Sequence, residues 1–189
     1  MNDITYFYQS IVGLQSGRAL GCEILIRSLG GLDQSAEVFS PAFFMNHLEQ
    51  LTDKKINAVK LIAQQPNQWV FINFSRCEVA HHLFNGCMKK ISKLLNQIQI
   101  VIEITECNAD YNVEAFKHNI AKLRTSGFLT AIDDFGTGSS NVESLNIVKP
   151  DFVKLDISFI RKASSSELNA IKLYQLVDLI RHRGHKVAD

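Results

Sequence analysis

Two adjacent aspartates, Asp133 and Asp134, follow the short apolar run Thr130-Ala131-Ile132 and precede Phe135-Gly136-Thr137-Gly138-Ser139-Ser140. The stretch reads as a buried strand that ends in two carboxylates and then a glycine-rich loop. Neighbouring carboxylates repel, and burying unpaired charge is costly, so a cation should sit between or beside them. Gly136 and Gly138 allow a tight turn where a side chain would clash. Taken alone, the segment also fits an ordinary strand-to-helix turn with Asp134 as a solvated cap.

Other polar residues stand at the ends of apolar runs. Glu23 lies within Cys22 to Ile26, with Arg27 four residues on. Asn73 follows Trp69-Val70-Phe71-Ile72, Glu103 closes Ile98 to Ile104 with Glu106 just beyond, and Lys154 lies within Phe152 to Ile157. The candidate ligands are all oxygen donors. With no His-x-x-x-His and no cysteine pair, zinc held by nitrogen or sulfur is disfavoured. Hard oxygen ligands suit magnesium or manganese. Two adjacent aspartates can face two ions, and two ions roughly 3.5–4 Å apart clamp a phosphoryl group and activate water. Lys154 could orient that water or neutralise developing charge, and the Arg27 fork could hold a phosphate. The residue types thus point to a metal-dependent hydrolase, with phosphate esters as the candidate substrate class.

Positioning these groups is the task of the surrounding elements. Ile4 to Val12 and Ala19 to Ile26 read as strands joined by a short turn, an antiparallel hairpin. Pro41 sits where a helix would begin, after Ser40 as cap. The apolar spacing from Phe43 to Ile62 is helical, over one or two helices. Val79 to Leu95 and Val113 to Leu123 also read as helices, the latter stopped at Gly127. A short helix over 141–148 ends before Pro150, Leu168 to Arg181 forms a long amphipathic helix, and His185 to Ala188 opens another strand. Strands and helices alternate from about residue 40, the pattern of βα units on a parallel sheet. In a βα barrel the strand ends form one rim, where active sites are built. An open doubly wound sheet fits the same pattern.

Composition narrows the class. The 189 residues are 46% hydrophobic and carry a formal net charge of +1, which suits a single globular domain over 1–189 and disfavours a nucleic-acid polymer as partner. Lys89, Lys90 and Lys93 fall at helical spacing and read as a solvated face. Met1-Asn2-Asp3-Ile4 lacks a signal-peptide pattern, and no apolar run approaches the ~20 residues of a membrane segment. Cys22, Cys77, Cys87 and Cys107 form no Cys-x-x-Cys pair, so free thiols and a cytoplasmic location are expected. Cys22 and Cys107 read as small buried hydrophobes.

Six motifs in order resemble the EAL domain, the bacterial cyclic-di-GMP phosphodiesterase module. They are Tyr8-Gln9-Ser10-Ile11-Val12, Glu23-Ile24-Leu25 with Arg27, Asn73-Phe74-Ser75, Glu103-Ile104-Thr105-Glu106, Asp133-Asp134-Phe135-Gly136-Thr137-Gly138, and Lys154-Leu155-Asp156. The resemblance implies an EAL-type TIM-like βα barrel whose first strand is antiparallel. It implies hydrolysis of cyclic-di-GMP to linear pGpG with two Mg2+ or Mn2+ ions. Glu23, Asn73, Glu103 and Asp133 would hold one ion, and Asp133 with Asp134 the second. Lys154 would orient the attacking water, Glu106 would brace the loop after the aspartates or support the metal shell, and Arg27 would touch substrate.

Three departures bear on this expectation. Ile24 replaces the family's alanine beside Glu23, Ser139 replaces a tyrosine and Asn141 a serine in the loop, and the chain stops where the seventh strand starts. A barrel lacking most of strand 7 and all of strand 8 has open edges, and open edges pair with other chains. A homodimer covering the gap, or a longer parent protein, is therefore expected. The competing reading is a weak or inactive domain that regulates by binding cyclic-di-GMP or a protein. A hydrolase of another phosphate ester is a third.

Overall fold

The computed structural model describes residues 4–13, 17–28, 40–62, 69–135, 142–156, 158, 161–162, 164–182 and 184–188. The glycines Gly136 and Gly138 and the departures Ser139 and Asn141 lie outside them. In chain order the elements are β1 (Ile4–Val12), β2 (Ala19–Ser28), α1 (Pro41–Asn46), α2 (Leu48–Ile62), β3 (Trp69–Ser75), α3 (Arg76–Ala80), α4 (Phe84–Ile91), β4 (Gln99–Thr105), α5 (Val113–Thr125), β5 (Leu129–Phe135), α6 (Val142–Val148), β6 (Phe152–Leu155), α7 (Glu167–His182) and β7 (Lys186–Ala188).

The strands form one sheet in the order β1 to β7. The β1–β2 pair is antiparallel and every later pair is parallel. Strand order never reverses, as it would in a doubly wound sheet. The sheet is also strongly curled. Neighbouring strands are ~4.8 Å apart, so a flat sheet would place β3 and β6 about 14 Å from each other. Instead the rings of Trp69 and Phe152 lie 4.7 Å apart, and Lys186 Nζ on β7 lies 4.8 Å from the centre of the Trp69 ring. This is the barrel geometry, with β1 and β7 as the two edges among the described residues.

Alternation along each strand divides the core. Val70, Ile72 and Phe74, with Ile100, Ile102, Ile104, Ile132 and Val153, face the helices and pack on residues such as Leu48, Val59, Phe84, Ile91, Phe116, Ile120, Leu145 and Ile180. The opposite row, Ile11, Phe71, Val101, Ala131 and Phe152, fills the barrel interior. Gly21 stands on β2 where a Cβ would run into the backbone carbonyl of Trp69 on β3, so any side chain there would push the two strands apart.

Local chemistry sets the helix ends. Ser40 Oγ accepts from Phe43 N at 3.2 Å with Pro41 in the first turn, as its sequence implies. The single helix expected from Val79 to Leu95 is instead α3, α4 and a 3-10 turn over Ser92–Leu94. His81 at the end of α3 is extended, with φ −71 and ψ 143. The break adds a residue to the apolar spacing: five positions separate Val79 from Phe84, where an unbroken helix would place three or four.

The expectation of free thiols is also corrected. Cys77 and Cys107 form a disulfide, with Cα atoms 6.0 Å apart. The cause is strand register. Ser75 on β3 pairs with Thr105 on β4, and each cysteine follows its paired residue by two positions. Sequence spacing cannot reveal a pairing between neighbouring strands 30 residues apart. Cys107 is therefore not a plain buried hydrophobe, whereas Cys22 and Cys87 carry free thiols.

Candidate metal centre

The inner row of each strand starts apolar and turns polar one pleat higher. Phe71 is followed by Asn73, Val101 by Glu103, Ala131 by Asp133, and Phe152 by Lys154, while Glu23 on β2 is level with Phe71. Because β2 to β6 are parallel, these polar groups rise from one end of the sheet, and the curl turns them toward each other.

They meet at Lys154. Its Nζ donates to Glu23 Oε2 at 2.9 Å and to Glu103 Oε1 at 2.5 Å, and it pairs with Asp133 Oδ1 at 3.2 Å. Asn73 Nδ2 donates to Glu23 Oε1 at 2.5 Å. Glu103 is fully buried and Glu23 nearly so. Burial pushes the Glu103 carboxyl well above its ordinary range, helped by the nearby Asp133 and Glu23. Burial alone would lower the Lys154 ammonium, but Glu103, Asp133 and Glu23 outweigh it and hold it above the usual lysine range. The cation that the carboxylates demand is thus supplied by the chain itself.

Asp134 stands beside this cluster rather than in it. It has φ 50, the left-handed region, and the β5–β6 register shifts between Ile132 and Phe135. A bulge at a strand end re-aims side chains, and here it separates the two aspartates: Asp133 faces Lys154, whereas Asp134 is exposed. Partial burial, then Asp133 and Asp156, raise the Asp134 carboxyl.

Among the described residues no three His, Cys, Asp or Glu side chains are grouped so as to hold a metal ion by themselves, and the Lys154 ammonium lies against Glu23, Glu103 and Asp133. The donor set nevertheless fits hard divalent cations. Asn73 Oδ1 and Glu103 Oε2 are buried oxygens without a hydrogen-bond partner, and such orphaned acceptors beside three carboxylates are what Mg2+ or Mn2+ would satisfy.

Arg27 is exposed, and its Nη1 donates to Ile26 O at 2.8 Å. It does not touch Glu23, whose partners are Asn73 and Lys154. Arg27 lines a cavity of about 390 Å³ together with Asn73, Glu106 and Cys107. Glu106 is half-buried in the wall of that cavity at the start of the loop after β4, outside the Lys154 cluster.

A supporting layer escaped the sequence reading. Lys55 on α2 is buried, donates to the Asn73 carbonyl at 2.6 Å, pairs with Glu78 Oε1 at 3.7 Å and lies 3.6 Å from the centre of the Phe74 ring. Burial lowers its ammonium against the pull of Glu78. Glu78 in turn accepts from Ser75 N at 2.7 Å in a capping box that starts α3. Two signals were available: Ser75-Arg76-Cys77-Glu78 is a capping-box spacing, and Lys55 sits four residues from Leu51 and Val59, on the apolar face of α2.

A curled, sequentially ordered βα sheet with an acidic rim around a lysine defines the class of βα barrels with a candidate oxygen-donor site at the strand ends. The chain belongs to the EAL domain family, whose model matches residues 1–188. It is 32% identical over 173 residues to Cyclic di-GMP phosphodiesterase PdeF of Escherichia coli (strain K12), covering 85% of this chain and 22% of that protein. It is 28% identical over 188 residues to Cyclic di-GMP phosphodiesterase PdeL of the same organism, covering 93% and 52%. The chain therefore spans about half, or less, of the length of these relatives. Among solved structures, BlrP1 of Klebsiella pneumoniae in its manganese and cyclic-di-GMP complex is 25% identical with a TM-score of 0.77, covering 98% of this chain and 48% of that one.

Proposed function

We propose that this domain hydrolyses cyclic-di-GMP to linear pGpG at two divalent ions, Mg2+ or Mn2+. The observation that carries the reading is the convergence of Glu23, Asn73, Glu103 and Asp133 on one point of the strand-end rim. These four would hold one ion, and Asp133 with Asp134 the second. Bound there, divalent ions supply Lewis acidity that neutralises phosphodiester charge and acidifies water. Lys154, at the point where those groups converge, orients the attacking water. Arg27, on the cavity wall, reaches a substrate phosphate with its fork. Glu106 would brace the loop after the aspartates or support the metal shell.

The test is product chromatography with cyclic-di-GMP and Mn2+. We expect pGpG from the native chain and a ~10²–10³-fold loss in Glu23→Gln and in Asp133→Asn, the scale of a lost charge-stabilising group. Full turnover in Asp133→Asn would remove the metal assignment.

A second reading, a nucleotide-binding regulator without turnover, is favoured by the ion pairs of Lys154, which set one positive charge against three carboxylates. Saturable cyclic-di-GMP binding with no product would select it. We further propose that a second copy covers the β1 edge, where Phe7 is 58% and Tyr8 46% exposed. Sedimentation at a single monomer mass across micromolar concentrations would reject that dimer.

A further inference from the structure

We propose that Cys77 and Cys107 are a reversible redox modification site, a dithiol that a small-molecule disulfide such as oxidised glutathione converts to the cross-link. The inference stands apart from the proposed hydrolysis. Its first support is register. The two cysteines leave adjacent paired strands two residues beyond Ser75 and Thr105, with Cα atoms 6.0 Å apart, inside the range a disulfide bridges without backbone movement. The second is accommodation of the reduced pair. Both sulfurs lie near one backbone acceptor, the carbonyl of Ala109, at 3.6 Å from Cys77 and 3.7 Å from Cys107. On reduction, that carbonyl is the nearby acceptor for either S–H.

The third support is asymmetry of access. Cys107 is half-buried and opens on the cavity that also presents Arg27 and Asn73, whereas Cys77 is 1% exposed. An outside reagent therefore meets Cys107 first. The Cys107 thiolate attacks one sulfur of the small disulfide and expels the other as a thiolate. The Cys77 thiolate then attacks the Cys107 sulfur of the mixed disulfide and expels the second small thiolate. Two protein thiols lose two protons and two electrons in all, and one small disulfide becomes two small thiols. The product ties the loop after β4, which begins with Glu106, to α3.

The test uses the full chain in glutathione buffers graded from reducing to oxidising, followed by denaturing alkylation and peptide mass spectrometry. Cys77 and Cys107 should lose alkylation together, yield one cross-linked peptide and regain both labels with dithiothreitol, while Cys87 stays alkylatable throughout. Glutathione retained on Cys107 with Cys77 still alkylated would overturn the proposal. So would alkylation of all four cysteines in the most oxidising buffer. Amide exchange gives an independent reading. Residues 106–112 should exchange at least tenfold more slowly in the cross-linked chain, and Cys107→Ser should remove the dependence on buffer. Equal exchange in both states would overturn the tethering.

Discussion

Lys154 holds three carboxylates together with one positive charge, and two of them are buried. Removing one partner of a buried ionic cluster typically costs ~3–5 kcal/mol because the remaining charges stay uncompensated. Lys154→Met should therefore lower stability to urea by about that amount in metal-free buffer. Mn2+ should restore much of it by taking over the compensation, and an unchanged urea midpoint would contradict the cluster. Glu103 gives a pH signature. Its folded carboxyl keeps its proton above the ordinary range, chiefly through burial, while the unfolded chain has already released it. The folded state then binds more protons, so metal-free stability falls as pH rises through that interval, by at most ~1.4 kcal/mol per pH unit. Asp134 shifts in the same direction. Saturating Mn2+ should flatten the slope, which urea titrations at pH 5, 6, 7 and 8 would show. At this scale the sequence was informative for Glu23, Asn73, Glu103, Asp133 and Lys154, since each breaks an apolar strand with a polar group. Lys55 was hidden because a lysine on a helix ordinarily reaches solvent, and only the tertiary fold brings its ammonium under Asn73.

Elements carry constraints that no single side chain expresses. The β2–β3 contact depends on Gly21, whose missing Cβ leaves room for the Trp69 carbonyl. Backbone cannot swing aside as a flexible side chain can. Gly21→Ala should cost at least the ~1–3 kcal/mol of core overpacking and should shift Glu23, on the same strand. Thermal unfolding would read the first effect and weaker Mn2+ binding the second. The β3 to β4 connection is held a second time by Cys77–Cys107. Closing a loop of 30 residues restricts the unfolded chain by ~3–4 kcal/mol in the loop-entropy account, so dithiothreitol should lower the urea midpoint accordingly. An equal midpoint would place the stabilisation elsewhere. Strand identities were legible from alternation and β-branched content. The break at His81 was not, because α3 and α4 present apolar residues to the same core and the extra position between Val79 and Phe84 is a small departure from helical period.

Across the whole molecule, sequential strand order and right-sized βα connections brought the carboxylates to one rim, and that much follows from alternation of elements. The choice between barrel and open sheet did not, since both use the same βα units. What decided it is curl, visible where Trp69 of β3 meets Phe152 of β6. The disulfide was illegible for the same reason: it depends on which strands become neighbours, not on which residues are near in sequence. The contact between Glu23 and Lys154 spans 131 positions of chain, and this has a consequence for biogenesis. At ~5–20 residues per second, a ribosome needs about 7–26 s to synthesise the partner that neutralises Glu23. During that interval the nascent chain carries an acidic strand whose counter-charge does not yet exist, and the rim closes only once β6 has been made.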